Sequence, residues 1–396
     1  MKKRHWIVFG VIFALGCLTV VPNALALSQE TELLLKLLEK RGVISQSDAD
    51  VLRSEVESAA TPVTDKEKAE AESGPISTIR DHVDISGLVE VETAFGTDFE
   101  DNDLSDIVLA TVELGFDAEI NDWVNAHLLL LYEEDDTEPM DVDEGTITVG
   151  NPEVCPGYVT AGKMYVPFGN FESYMISDPL TLEVGETNES AVLVGMDASG
   201  FYASLYAFNG DIKKKDDGHD DQIRGFGGNV GYAFENDSMG IDIGIDCISN
   251  IADSDLLSEV VSEEIEDYIL GYTFHAILNI GPLGFIGEYV GAGDDFKNDE
   301  LLFGSDGAQP IAWNIEAGYT FELGGKESTL ALGYQGTDEA LALELPETRV
   351  MGSFGIEIYD HTTLSFEYAH DEDYDESDGG TGNDADVGTA QLAVEF

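Results

Sequence analysis

From Val83 to the carboxyl terminus, apolar and polar residues alternate with a period of two, in segments separated by turn-forming residues. Val83, Ile85, Gly87, Val89 and Val91 alternate with Asp84, Ser86, Leu88, Glu90 and Glu92, and Ala110, Val112, Leu114, Phe116 and Ala118 with Thr111, Glu113, Gly115, Asp117 and Glu119. Met239 to Cys247, Ile311 to Phe321 and the last six residues repeat the pattern. Successive side chains of a strand point to opposite faces, so this period predicts strands with one oily and one wet face. Sixteen are expected, near 83–95, 107–120, 123–134, 144–150, 158–166, 189–197, 200–208, 222–234, 239–248, 268–280, 283–292, 309–322, 328–335, 347–358, 362–370 and 387–396. The two at 144–150 and 158–166 have the weakest pattern, so fourteen or eighteen strands stay open.

Short connections at Asn121-Asp122, Asn151–Gly157, Ala198-Ser199, Glu235–Ser238, Gly281-Pro282, Leu323–Lys326 and Tyr359–His361 alternate with long polar loops. That order, with an even strand count, describes an all-β fold: a transmembrane antiparallel up-and-down β-barrel of about 16 strands, both ends on the side of the short turns. The wet face carries Gly, Thr, Asn and carboxylates throughout, which suits a water-filled lumen better than the outer face of a soluble sandwich. Aromatics near strand ends, such as Trp123, Tyr132, Tyr232, Phe234, Tyr319 and Phe321, fit interfacial girdles. The final strand closes on Phe396. In that it resembles bacterial outer-membrane barrels, whose assembly machinery reads such an ending. The resemblance implies the bacterial outer membrane as location, with its lipids and lipopolysaccharide as partners.

The first 80 residues differ. Lys2, Lys3 and Arg4 precede an apolar run from Ile7 to Val21 and an Ala24-Leu25-Ala26 cleavage site, so residues 1–26 read as a signal peptide. Residues 27–59 hold a Leu-rich helix stopped by Gly42 and a second short helix from Ser47 to Ser58, a periplasmic helical segment. Residues 60–80 read as linker, and 81–396 as the barrel.

Charge then narrows the partners. With 80 acidic against 18 basic residues the chain has a formal net charge of −62, which excludes nucleic acid. The acid either lines a cation-favouring pore or forms a solvated, salt-adapted surface. Cys155 and Cys247 lie on separate elements, so neither a disulfide framework nor a thiolate metal site is expected, nor any resident cofactor. His127 and His275 fall on lumen positions without a serine or cysteine at catalytic spacing, and an enzyme is not expected.

The segment Gly162-Lys163-Met164-Tyr165-Val166-Pro167-Phe168-Gly169 breaks a strand at a residue that cannot donate to the ladder, followed by one that permits a sharp bend. The third outer loop follows, Tyr174 to Thr187, and it is too apolar for a freely solvated loop. It either folds inward past the Pro167-Phe168-Gly169 bend to narrow the pore or packs on the wall. The run from Gly162 to Thr187, with Phe208-Asn209-Gly210-Asp211 after it, resembles the LbtU family of siderophore porins. So does the layout of signal, Leu-rich helical segment with Arg41-Gly42, and barrel ending on Phe. The resemblance implies plug-free, passive passage of ferric siderophores. Lys163, Glu172, Asp178, Glu183 and Glu186 are candidates along the path, Glu113 and Asp117 line the pore, and Arg224 and Arg349 join Lys163 in a local basic track. Two alternatives stand beside it: a general or cation-selective diffusion porin, and a structural or adhesive envelope barrel. By analogy with other sixteen-stranded porins, a homotrimer is expected.

The densest acidic run, Asp371 to Asp384, forms the last outer loop, and Gly379–Asp384 matches one copy of a G-G-x-G-x-D calcium turn. Asp371, Asp373, Asp375, Asp378 and Asp384 are candidates for weak Ca or Mg binding that would crosslink the loop to lipopolysaccharide; the other reading is a solvated loop.

Overall fold

The computed structural model describes residues 82–134, 139–215, 222–236 and 238–396. The signal peptide, helical segment and linker expected before residue 81 lie outside the described residues. Sixteen antiparallel strands form one closed barrel: β1 (Val83–Thr97), β2 (Asp103–Asn121), β3 (Val124–Tyr132), β4 (Asp141–Gly150), β5 (Gly157–Tyr165), β6 (Asn188–Ala198), β7 (Phe201–Phe208), β8 (Gly225–Asn236), β9 (Met239–Ile248), β10 (Gly271–Ile280), β11 (Leu283–Ala292), β12 (Ile311–Leu323), β13 (Lys326–Asp338), β14 (Thr348–Tyr359), β15 (Thr362–Glu372) and β16 (Asp384–Glu395). Each pairs with its neighbour in sequence, and β1 pairs with β16 from Leu88↔Glu395 to Thr97↔Asp386. Closure leaves no sheet edge, the condition for a sheet to cross lipid.

The last residue takes part in closure. The Gly87 amide donates to the Phe396 carbonyl at 2.9 Å and the Phe396 amide returns a bond to Gly87 at 3.0 Å. A Cβ on Gly87 would overlap the Phe396 ring, so the glycine makes room for the terminal aromatic on the outer surface. The shortest turns match their residues: Ser199-Gly200 and Gly324-Gly325 hold positive φ at both central positions, the conformation that two-residue hairpins need.

Parity sorts the wall into two faces. Outward positions such as Val192, Val194, Ile245 and Leu332 are exposed, while the residues beside them in sequence are buried in the barrel. Soluble monomers rarely show contiguous apolar patches beyond a few hundred Å². Here the apolar residues run round the whole wall with aromatics at its margins, including Trp123, Phe201 and Tyr359, so the belt is lipid-facing. Several strands run longer than their pattern, β13 among them at Lys326–Asp338 against an expected 328–335. β2 begins at Asp103 and β4 at Asp141, because their outer ends rise beyond the hydrocarbon layer, where acidic side chains cost little.

The long connections all lie at one rim. Loop 3 (166–187) carries the short helix α1 (Leu180–Gly185), loop 5 (249–270) carries α2 (Asp255–Val260), and loop 4 (described at 209–215 and 222–224), loop 6 (293–310) and loop 7 (339–347) contribute side chains packed with theirs. Phe168, Leu180 and Val184 of loop 3 pack with Ile212, Ile251, Leu257, Ile265, Phe296, Leu301 and Leu343 in one buried cluster. Five loops therefore share a hydrophobic core at the rim above β5 to β13. Side-chain bonds fix its polar edges: Asp253 accepts from the Ile212 amide at 2.9 Å and Asn250 at 3.1 Å, and Glu300 accepts from the amides of Glu266 and Lys297.

Candidate functional site

Loop 3 leaves the wall where its sequence breaks the ladder. Val166 makes a last bond to the Thr187 carbonyl at 3.0 Å, Pro167 has no amide to continue with, and Gly169 turns the chain at φ +93°. The segment then runs along the inner wall and is fastened by side chains from seven consecutive strands. Asp246 of β9 accepts from the Gly169 amide at 2.9 Å, and Asn279 of β10 meets the Tyr174 hydroxyl at 3.4 Å. Glu288 of β11 accepts from the Asn170 amide at 2.7 Å, the Phe171 amide at 3.2 Å and the Thr181 hydroxyl at 2.9 Å, tying the descending limb to α1. Glu316 of β12 takes the Ser173 hydroxyl and the Tyr174 amide, each at 2.7 Å. Gln335 of β13 accepts from the Leu180 amide, Ser353 of β14 donates to the Tyr174 carbonyl, and Glu367 of β15 gathers the amides of Ile176 and Ser177 and the Ser177 hydroxyl.

A loop leaves backbone donors that must be satisfied once water is excluded. Ionised acceptors make the stronger bonds, about 1.5–3 kcal/mol each against roughly 1 for neutral pairs. Wall carboxylates thus hold the loop largely by its backbone amides, with the hydroxyls of Ser173, Ser177 and Thr181 adding further bonds. Apolar fit adds to this. Gly284 and Gly318 face each other across β11 and β12, and a Cβ on either would collide with the Tyr174 ring or hydroxyl. Their missing side chains form the notch in which Tyr174 sits, and Met175 packs beside it on Ala331, Met351 and Ala369.

The sequence candidates divide by position. Glu172 belongs to loop 3 itself, within electrostatic reach of Asp242, Glu316 and His275; burial raises its carboxyl above the ordinary range, and the two acids add to the rise while the histidine opposes it. Asp178 is within electrostatic reach of Glu92, and Glu183 of Arg349. Glu186 closes α1, its amide bonded to Leu182 and its carbonyl accepting from Asp255 at 2.8 Å. Arg349 faces the lumen but is engaged at 2.8 and 2.9 Å by Asp371, its direct cross-strand partner. Arg224 sits in loop 4 just before β8, its amide donating to Phe208 at 3.2 Å. Lys163 departs from the expected path: it shares the outward parity of Val159 and Ala161, and its amine donates to the Val142 carbonyl at 3.2 Å. The expected basic track is therefore split between the outer wall, a loop and an ion pair.

Glu113 and Asp117 stand on inward positions of β2, with Asp117 60% exposed and bonded at 2.7 Å to His127. On the opposite arc His275 lies inward too, 3.1 Å from the Tyr202 hydroxyl. The acidic run of the last outer loop (373–383 with its flanks) is dispersed. Asp371 holds Arg349, Asp373 accepts from the amide and hydroxyl of Thr381, and the Asp375 carbonyl accepts the Asp378 amide. His370, Glu372 and Asp384 bring one ligand atom each within 4.8 Å of the others on the outer wall. Sequence reasoning missed the fastening carboxylates Asp246, Glu288, Glu316 and Glu367. Their one visible signal was an acid on the inward parity of a late strand, which reads equally as pore lining.

No family model matches the chain. A UPF0422 protein of Coxiella burnetii (strain RSA 493 / Nine Mile phase I) is 31% identical over 327 residues, spanning 78% of this chain and 70% of that one. The chain belongs to the UPF0422 family. UPF0422 protein lpg2959 of Legionella pneumophila (Philadelphia 1) is 31% identical over 365 residues, covering 79% of this chain and 66% of its own, just under two thirds. Among solved structures this UPF0422 chain is similar to OprB of Pseudomonas putida (TM-score 0.58, 9% identity, 82% of this chain and 97% of that one). It is similar as well to the outer membrane channel DcaP of Acinetobacter baumannii (TM-score 0.53, 14%, 79% and 97%) and to a trimer form of Vibrio cholerae OmpT (TM-score 0.51, 14%, 79% and 99%). At such identities the likeness is one of fold: a sixteen-strand outer-membrane barrel.

Proposed function

We propose that this UPF0422 protein is a plug-free outer-membrane porin through which small solutes diffuse past loop 3. The observation that carries the reading is the fastening of loop 3 across β9 to β15 by inward side chains, which sets a fixed partial obstruction inside a barrel wide enough for water. Solute would pass between the loop and the facing arc, where Glu113 and Asp117 stand. The resemblance to the LbtU family of siderophore porins supports ferric siderophores as the solute class. With Arg349 paired and Lys163 outside, the charge along this path favours neutral or cationic ferric chelates over polycarboxylates.

A second reading, a cation-selective general porin, is favoured by the same acidic arc. Single-channel conductance of the mature protein in planar bilayers under a salt gradient separates them. Concentration-dependent block by one ferric siderophore class supports specific uptake, whereas cation selectivity without block supports the general porin. Absence of conductance would sink both and leave a structural barrel. The trimer form of OmpT supports a homotrimer here, and crosslinking in mild detergent that yields monomer alone would remove it.

A further inference from the structure

Where loop 3 first meets the wall, several carboxylates crowd one histidine. His275 of β10 is 4% exposed and pairs across the ladder with Gly244 of β9 on one side and Glu288 of β11 on the other. A Cβ on Gly244 would overlap the imidazole, so the ring lies over the glycine backbone, between the side chains two residues to either side of it. Those side chains are acids: Nε2 is 3.6 Å from Asp242 Oδ1, and Nδ1 is 3.9 Å from Asp246 Oδ2. The groups that face the ring are thus Tyr202 from β7, Asp242 and Asp246 from β9, Glu288 from β11 and Glu172 from loop 3, the last also within reach of Glu316 on β12. His275 is the favourable charge partner of Glu172, Asp246 and Glu288 alike.

How well the ring is bonded depends on its protons. The Tyr202 hydroxyl lies 2.9 Å from Asp242 Oδ1 and 3.1 Å from His275 Nε2, and it has one proton to give. Nδ1 is buried without a hydrogen-bond partner, and so is Oδ1 of Asp246, whose Oδ2 accepts the Thr273 hydroxyl at 2.6 Å and the Gly169 amide at 2.9 Å. A neutral ring with its hydrogen on Nε2 turns the Nδ1 lone pair toward Asp246. With its hydrogen on Nδ1 instead, it competes with Asp242 for the Tyr202 proton. The imidazolium alone presents an N–H on both sides and lets Tyr202 donate to Asp242. Where water is excluded, carboxylates left without such a cation repel one another strongly.

Two of these carboxylates are the ones that fasten the start of loop 3. Asp246 holds the Gly169 amide, and Glu288 holds the amides of Asn170 and Phe171 and the Thr181 hydroxyl. Glu172 belongs to the same limb, one residue beyond Phe171. We infer that His275 is the positioning cation of loop 3: protonated, it neutralises the wall acids and keeps the 169–172 limb fastened, and deprotonated, it leaves Asp242, Asp246, Glu288 and Glu172 facing one another, so that the limb loosens. The hold is full below the titration of the imidazolium and falls as pH rises through it. This deepens the porin reading, and rests on it only for the effect on solute passage.

The test is hydrogen exchange of the loop 3 amides in the full mature protein, corrected for the intrinsic effect of pH, at about pH 5.5 and about pH 9, either side of the ordinary imidazole value of about 6.5. Protection of Gly169, Asn170 and Phe171 should fall about tenfold between the two, the equivalent of one weak charge-assisted bond. The Ile176 and Ser177 amides, held by Glu367, should keep their protection and serve as internal control. His275→Gln is neutral throughout and should show the lower protection at both pH values. Glu172→Gln, which removes the limb's own charge, should shrink the step without abolishing it. Each variant is compared as folded barrel, judged by its heat-modifiable mobility in electrophoresis. A wild-type profile without the step refutes the assignment whatever the variants do, as would the same step in His275→Gln, loss of the step in Glu172→Gln, or an equal fall at Ile176 and Ser177. Conductance at the same two pH values separates the readings: a step in protection without any current leaves His275 in place and removes the porin, whereas current without the step does the reverse.

Discussion

Two arcs of one wall carry the same residue type on the same parity and use it differently. On β9 to β15 the inward carboxylates are buried, and each of Asp246, Glu288, Glu316 and Glu367 accepts from loop 3 donors. On β2, across the lumen, Asp117 is 60% exposed and bonded at 2.7 Å to His127. Lumen acidity is therefore two things. One share builds the obstruction, and the other faces the open side of the lumen.

The comparison breaks most sharply at Glu288, which holds three donors from both limbs of the loop. Glu288→Ala should cost about 3–5 kcal/mol of loop anchoring, since it strands buried amides, and should raise both mean conductance and current noise. A conductance trace identical to wild type would detach loop 3 from the path. The conservative Glu288→Gln keeps one acceptor and should give a partial effect.

Asp253 extends the contrast to the loop core. Burial raises its carboxyl from 3.8 to about 6, against the bonds from Ile212 and Asn250 that pull it down. Between roughly pH 4 and 6 the native state then binds more protons at this site than the unfolded chain, so the contribution falls as pH rises through that window. Asp253→Asn should flatten the dependence and stabilise the loop core at pH 7 by at most about 3 kcal/mol, reading two pKa units as the bound. Urea unfolding followed at pH 4 and pH 7 checks it; an equal slope in both proteins would refute the assignment.

Gly318→Val should evict Tyr174 from its notch, with the 1–3 kcal/mol typical of overpacking and a conductance change in the same sense as Glu288→Ala. If the barrel loses stability while the conductance stays fixed, the notch serves the wall and not the loop. The smallest stability effect belongs to the facing arc: Asp117→Asn should leave unfolding within about 0.5 kcal/mol and shift the reversal potential toward anions. An unchanged reversal potential would move the solute path away from β2.

Much of the wall was legible without coordinates, because a period of two with turns of fixed chemistry is local information. The 239–248 and 283–292 strands coincide with their expected limits, and the Pro167-Phe168-Gly169 bend announced where loop 3 leaves. Strand ends were less legible where acid continues the ladder, as at Asp103 and Asp141. The partners of loop 3 could not be read, since Glu288, Glu316 and Glu367 lie 107 to 191 residues away from the atoms they bind. Lys163 shows the other limit. Its strand is small or apolar on both faces, Val159 and Ala161 against Gly162 and Met164, so alternation alone could not say which face is wet.

By itself, then, the order of residues determined a closed antiparallel barrel with an oily outside and an acidic inside, because strand parity and turn geometry act between neighbours in the chain. Which acids fasten a loop, which stay exposed in the lumen and which way Lys163 points was decided only by closure. Bringing β5 and β6 to the register where Lys163 meets Ser190, and seven later strands under loop 3, depends on hydrogen-bond partners remote in sequence. Their choice is made by burial of backbone amides that nothing nearer could satisfy.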